Sequence, residues 1–291
     1  MNPENSLQNL AGFRWIENGQ SNLSGQVLEL FKALDAMFLR LASQVKAEEF
    51  QFPTFIQASE LRKLDYFKSF PHLVTFPVTL ENSDMNLKKF IEGAKCDEQG
   101  RMHLTEIAPL CDCLTPAACY HFYIHFQNQK ISRPLFLTTR NNCFRREKYY
   151  SPLQRQWNFN MREVVCIGSA AEVKGFLAQY KELMTQKFIK LGLDISWEIA
   201  TDPFFDPGQN PKFIMQQIDP VKEEMIYQKN LSIGSVNFHK NYFGEAFSIE
   251  RDGSPAFSGC VAFGMERWIY AIVTKYGLEA AKWPWAEIAN A

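Results

Sequence analysis

Several things that would announce a function are missing from this 291-residue sequence. It has no surplus of positive charge: 31 Lys and Arg stand against 32 Asp and Glu, a net charge of -1, so nothing draws the chain as a whole to a nucleic-acid backbone. Any such partner would need a local basic patch. No apolar run approaches the roughly twenty residues a membrane helix requires, so no membrane is expected among its partners. The Cys are seven, an odd number at irregular spacings, and no charged leader with an apolar segment precedes them. A disulfide framework and secretion are therefore not expected, and a cytoplasmic protein with reduced thiols is. No repeat, low-complexity segment or linker interrupts the chain. With 46% hydrophobic residues, a single domain over residues 1–291 can bury a sizeable core. The common chemical signatures are absent too: no G-x-G-x-x-G after a strand, no Walker loop, no G-x-S-x-G elbow and no H-E-x-x-H.

What is present centres on residues 142–166. A Phe-Arg-x-Glu tetrad at residues 144–147 leads into a polar loop holding Ser151, Pro152 and Gln156, and a second arm runs from Phe159 into Val164, Val165 and Cys166. Two apolar-flanked arms joined by a loop of roughly ten residues predict a long antiparallel hairpin. Arg145, Arg146, Glu147, Arg155, Arg162 and Glu163 lie on that ribbon. Charges on a half-buried sheet are costly unless they meet partners, so this face is either a solvated edge or a seat for an anionic ligand.

Along the chain, Val27, Leu30, Phe31, Leu34, Met37, Phe38, Leu41 and Val45 share one helical face, predicting an amphipathic helix over residues 24–47 for core or dimer packing. Residues 50–53 end it at a proline, and residues 54–56 restart extended behind Pro53. A short helical piece is expected over 61–70, a loop entering a strand over 70–76, and a polar surface excursion over 81–104. The alternation of Tyr120, Phe122, Ile124 and Phe126 against His121, Tyr123 and His125 predicts a half-buried strand. Another strand is expected over 134–139. Ser169-Ala-Ala-Glu172 is a capping box opening a helix whose apolar face runs from Val173 to Leu191 and stops at Gly192. Residues 201–220, rich in proline and aromatics, predict an irregular loop. Strand-like runs follow over 222–227 and 231–238, then a further run over 242–248. Residues 259–264 form a buried strand turning into a helix over 265–276, closed by Gly277. Strands and helices without regular βαβ alternation predict an α+β fold, an antiparallel sheet flanked by helices.

Three of these features carry a resemblance. Pro53 behind a long helix, the Phe-Arg-x-Glu hairpin, and the strand-to-helix turn ending in Arg267 resemble, in order, motifs 1, 2 and 3 of the class II aminoacyl-tRNA synthetases. Ala262 stands where a glycine is usual in motif 3. Within the class, the sequence is similar to the atypical seryl-tRNA synthetases of methanogens, and more so to their short bacterial homologues, the amino acid:[carrier protein] ligases. Those enzymes hold a zinc ion through Cys, Glu and Cys, and Cys119, Glu163 and Cys260 match the three ligand contexts. Two thiolates and a carboxylate fill three corners of a tetrahedron and leave the fourth for a substrate amine. Taken singly, each Cys could be a small buried hydrophobe, and Cys111, Cys113 and Cys119 with His121 could form a separate cluster.

The resemblance implies a class II catalytic core in which ATP and an amino acid give an aminoacyl-adenylate and pyrophosphate. The acyl group then passes to the phosphopantetheine thiol of a carrier protein. It implies that Arg145 clamps the α-phosphate and the substrate carboxylate, that Glu147 meets the adenine amino group or orients its loop, and that Phe159 stacks on the adenine. It further implies Arg267 on the opposite face, reaching the γ-phosphate, Lys222 on ATP, and Glu223 and Glu224 as candidate Mg2+ ligands. Ser235 and Asn237, with Glu163, would line the amino-acid pocket. A homodimer is implied, as is a preference for glycine or alanine, with serine allowed by the seryl branch. No tRNA is expected as a partner, because little sequence precedes Pro53 or follows Arg267. Carrier docking is expected on the insertion between motifs 2 and 3, at about residues 204–224 of a 200–225 insertion. A relative charging tRNA or another protein, or a non-catalytic binding paralogue, are the alternatives. Arg146, Arg155 and Arg162 stay without a role and read as the hairpin's solvated side.

Overall fold

The computed structural model describes residues 7–93 and 96–290. Its frame is a seven-stranded sheet built from β1 (Glu48–Phe50), β2 (Leu135–Phe144), β3 (Asn158–Gly168), β4 (Ile195–Ile199), β5 (Lys222–Tyr227), β6 (Leu231–Lys240) and β7 (Phe257–Gly264), in the order β1-β2-β3-β7-β6-β5-β4. The short β1 runs parallel to β2, and every other neighbouring pair is antiparallel. Around the sheet lie α1 (Gly25–Ser43), α2 (Tyr120–His125), α3 (Ala170–Lys190), α4 (Pro211–Ile218), α5 (Tyr242–Phe247) and α6 (Met265–Tyr276). This is the α+β architecture expected: an antiparallel-dominated sheet flanked by helices.

The period of two along the strands decides which face each residue serves. Val164 and Cys166 of β3 and Val261 and Phe263 of β7 point to one side, into a core shared with α1, α3 and α6. There the apolar stripe of α1 is buried as predicted, and the Phe38 ring stacks on Phe263 at 4.1 Å between centroids. At the start of α3 both halves of the capping box form: Ser169 Oγ accepts from the Glu172 N–H at 3.3 Å, and the Glu172 carboxylate accepts from the Ser169 N–H at 2.7 Å. The intervening residues, Val165 and Ile167 of β3 and Cys260 of β7, face the other way into a second cluster with α2 and α5.

Four expectations change. The aromatic alternation at 120–126 is not a strand but α2. Cys119 enters it in the right-handed helical conformation, and His121, Phe122 and Tyr123 are all buried in succession, because the segment is packed on more than one side. An alternation cannot separate a half-buried strand from a short helix enclosed in this way. The run over 242–248 is likewise helical. Gly244 allows α5 to lie directly on the 256 backbone, where a Cβ would come within 2.2 Å of the Ala256 carbonyl oxygen. Residues 201–220 are ordered into a 3-10 turn, Pro207–Gln209, and then α4, opened by Pro211 and by Asn210 Oδ1 accepting from the Lys212 N–H at 3.0 Å. Inside the polar excursion lies a helix, Asp84–Gly93, tied down by the buried Asn86 amide, which donates to the Glu81 and Glu106 carbonyls at 2.8 Å each. Residues 94 and 95 of that excursion fall outside the described residues.

The hairpin exists, with arms longer than read from sequence. The strand expected over 134–139 and the first arm are one continuous β2, paired with β3 from Leu135↔Ile167 to Phe144↔Asn158. Arg162 does not lie on a solvated side. Only 3% of its side chain is exposed, and it donates to Asp35 of α1 at 2.7 and 3.0 Å and to Glu49 of β1 at 2.8 Å. One buried guanidinium thus ties the long helix and the edge strand to the middle of the sheet. Among the described residues, no helix is long and apolar enough to cross a membrane.

Candidate active site

The sheet face turned away from α1 and α6 opens into a cavity of about 620 Å³. Cys119, Arg145, Glu147, Phe159, Glu163, Lys222, Ser235, Asn237, Cys260 and Arg267 all line it, so the candidate residues read from sequence lie in one place. Strand periodicity explains the convergence, since Glu163, Ser235, Asn237 and Cys260 occupy the same-face positions of three adjacent strands. The same rule removes Glu223. It alternates away from Lys222 and Glu224 and pairs with Lys181 on α3, behind the sheet.

At one end of the cavity, Cys119, Glu163 and Cys260 present ligand atoms that all lie within 4.8 Å of one another, and all three residues are buried. Glu163 Oε1 accepts from the Ala118 N–H at 3.0 Å, which holds the carboxylate beside Cys119. Hydrogen bonding to Cys260, burial and the Glu163 charge push the Cys119 thiol well up. Cys260 is pulled down by its bond with Cys119, but burial and Glu163 leave it raised. Burial and the Glu163 carboxylate thus disfavour the thiolate form of both cysteines, and a divalent cation bound among the three groups would relieve that. Sulfur and carboxylate donors at this spacing suit zinc. The alternative cluster does not form: Cys113 packs with Ile56, Leu61 and Tyr66, Cys111 is exposed, and the His121 ring lies against Phe52 at 5.3 Å.

Elsewhere in the lining, two arginines offer positive charge among acidic neighbours. Arg145 follows directly on β2; its Nε donates to the Pro116 carbonyl at 2.9 Å, and its guanidinium lies 5.3 Å from the Phe159 ring centroid. Arg267, at the start of α6, donates to the Gln154 and Ser232 carbonyls at 2.7 Å each. Burial and the neighbouring Arg145 charge push Arg267 down to about 10. A half-buried guanidinium whose charge is disfavoured by a second one beside it makes a site that an anion would stabilise. Glu147 accepts from Arg155 Nη1 at 2.8 Å, so Arg155 braces the loop and is not idle. Arg146 bonds to the Tyr150 hydroxyl at 2.6 Å and lies over the Trp157 ring at 5.2 Å, outside the cavity lining.

Three cavity residues have no role assigned from sequence. Asp202 accepts from Lys222 Nζ at 3.1 Å and from Gln216 Nε2 at 2.9 Å, so the insertion that carries Asp202 and α4 is fastened to β5. Glu266 is buried and accepts from the Asn160 N–H at 3.0 and 2.9 Å and from its side-chain amide at 3.0 Å; burial pushes its carboxyl up. Its place beside Arg267 was the one available signal. His239 lies next to Cys260 and is pushed down to about 4 by burial.

Residues 112–276 match the family model of the tRNA synthetase class II core domain (G, H, P, S and T). Amino acid–[acyl-carrier-protein] ligase 1 of Bradyrhizobium diazoefficiens is 31% identical over 245 residues, covering 81% of this chain and 74% of that protein. Ligase 2 of the same organism is 29% identical over 298 residues, covering 97% of this chain and 86% of that protein. Among solved structures, M. kandleri SerRS, crystallised with A. aeolicus tRNASec, superposes with a TM-score of 0.82 at 17% identity. That match covers 100% of this chain and 60% of the synthetase chain, and at such identity it speaks for the fold alone. The matched span of the core and the identity to ligase 1 place this chain in the class II tRNA synthetase core family, among the amino acid–[acyl-carrier-protein] ligases.

Proposed function

We propose that the protein activates a small amino acid with ATP and transfers it to the phosphopantetheine thiol of a carrier protein. The observation that carries this reading is that an arginine pair and a Cys–Glu–Cys group share one cavity. One end suits phosphate and the other a metal that recognises an amine, which is the outline of an amino acid beside a nucleotide.

In the first step a substrate carboxylate oxygen attacks the α-phosphorus, the bond to the bridging oxygen breaks, and pyrophosphate leaves with that electron pair. Negative charge grows on the α-phosphoryl oxygens, and Arg145 is the donor that meets it. The Pro116 carbonyl already holds that guanidinium, so little reorganisation is needed. Phe159 and Arg267 enclose the adenine, and Glu147 meets its edge. In the second step the thiol sulfur attacks the acyl carbon, AMP departs, and the thiol proton passes to the released phosphate or to solvent. No side-chain nucleophile is needed; positioning and charge stabilisation do the work. Zinc held by Cys119, Glu163 and Cys260 would supply a Lewis-acidic position for the neutral α-amine. Mg2+ would accompany the phosphates, and of the two candidate ligands Glu224, which lines the cavity beside Lys222, is the one that could meet it. Tyr120, Phe243 and His239 crowd the space beside the Cys119 and Cys260 thiols, which supports glycine or alanine over larger side chains, with serine next.

Exposed Ile214, Met215 and Ile218 of α4 support carrier docking on the insertion, since Met215 also reaches the cavity. The test is amino-acid-dependent ATP–pyrophosphate exchange across all twenty amino acids, with and without a chelator, followed by transfer assays with phosphopantetheinylated carrier protein and with tRNA. Exchange with small amino acids, lost on chelation, is expected. Absence of exchange with every amino acid would sink the reading, and charging of tRNA alone would move the acceptor.

A further inference from the structure

Cys119 and Cys260 offer the same thiol in different surroundings. Cys260 Sγ has two nitrogens beside it, Asn237 Nδ2 at 3.3 Å and His239 Nε2 at 3.6 Å. No nitrogen donor reaches Cys119 Sγ among the described residues. His239 owes its position to an irregularity in the sheet: β6 pairs Phe238 with Gly259 and Lys240 with Ser258, which leaves His239 as the extra residue of a bulge. Bulges of this kind re-aim a side chain beside a site. The ring is then fenced on its other edge. Nδ1 lies 3.1 Å from the Tyr123 hydroxyl and 3.2 Å from the Ser258 hydroxyl, and the Phe243 ring stands at 84° to the imidazole.

A hydroxyl can donate to an imidazole nitrogen or accept from it, so the two at Nδ1 serve either tautomer, and the sulfur at the other ring nitrogen selects between them. The ring's own proton then belongs on Nε2, facing sulfur. The opposite tautomer would set a nitrogen lone pair against a thiolate. We propose that His239 is a positioning residue for the metal site, donating its Nε2–H to the Cys260 thiolate while Tyr123 and Ser258 hold the ring in that orientation. A donor on a metal-bound thiolate draws charge off the sulfur and aims its lone pairs, so the metal is held in register and stays the better acceptor for the substrate amine. This inference rests on the reading of Cys119, Glu163 and Cys260 as zinc ligands.

The test is a chelator competition on purified full-length protein loaded with zinc, with the absorption spectrum of the cobalt form as a second readout. Wild type must first compete for one zinc; failure there overturns the ligand set itself. Given that binding, His239→Ala is expected to weaken zinc by ~10-fold to 100-fold, to shift the thiolate-to-cobalt charge-transfer band, and to raise the amino-acid KM more than it lowers kcat. His239→Gln, whose amide can donate in the same direction, is expected to recover most of both. Tyr123→Phe with Ser258→Ala, which keeps the ring but removes both hydroxyls that orient it, is expected to fall between, and it reads the proposal if the alanine variant fails to fold. Wild-type zinc affinity and an unchanged cobalt band in these variants would overturn the role. So would a cobalt spectrum in His239→Ala that reports the loss of a nitrogen ligand, because His239 would then bind the metal itself.

Discussion

The two faces of the central sheet are made from the same strands, one residue out of step. Val164, Cys166, Val261 and Phe263 on one face meet α1, α3 and α6 in a closed apolar core. Glu163, Cys260 and Ala262 on the other face line an open cavity together with Arg145 and Arg267. The first face gains from excluding water around carbon. The second spends stability by holding charges and thiols out of solvent with incomplete pairing, a cost that ligands can offset. Substitutions on the two faces should therefore separate stability from activity.

The largest stability effect is expected behind the sheet. Phe38→Ala removes a ring buried against Phe263, Phe188 and Trp268, and should cost about 3–5 kcal/mol in denaturant unfolding while sparing the exchange activity of molecules that remain folded. In the cavity the pattern should invert. Arg145→Ala should lower amino-acid-dependent exchange by roughly 10²–10³-fold, with little loss of melting temperature. A loss of fold in place of activity would mean that the Pro116 bond matters more than the charge.

Adjacent positions on β5 test the same contrast at close range. Glu224→Gln, facing the cavity, is expected to reduce exchange by about tenfold and raise the Mg2+ requirement, whereas Glu223→Gln should leave both unchanged and cost only the half-exposed Lys181 pair, about 0–1 kcal/mol. Equal effects at the two sites would break the alternation argument. The smallest effect belongs to the cap of α3. The bond from Arg251 and the N–H of Ser169 hold the Glu172 carboxyl below its usual range. A depressed carboxyl stabilises the fold above its ordinary value and loses that contribution as pH falls through the folded value. Wild type should therefore lose stability on acidification through the carboxylate range. Glu172→Gln should be about 1 kcal/mol less stable at neutral pH and show less of that acid dependence, as read from melting curves across pH.

Much of this was legible in the residues, and what was legible was local. The stripe of α1, the Ser169–Glu172 cap and the strand-to-helix turn before Arg267 each involve groups within a turn or two of one another. Their backbone conformations follow from neighbours in sequence. The resemblance also led to Arg145 and Arg267 through its motifs and to Glu163 and Cys260 through its ligand contexts, and these four share the cavity. One misreading shows what a local pattern lacks. At 120–126 the aromatic alternation had the right burial content and the wrong conformation, because enclosure by α5 and the sheet overrode the local pattern.

Composition, periodicity and capping chemistry were enough to establish an α+β chain with its principal helices and the hairpin, since those signals act over a few residues. They could not say that Arg162 is buried between Asp35 and Glu49, that Asp202 fastens the insertion to Lys222, or that Glu223 and Glu224 serve opposite faces. Nor could they bring His239 to Cys260. Each of these depends on strand register and on contacts between distant segments, where burial changes what a charge or a thiol costs and therefore what it can do.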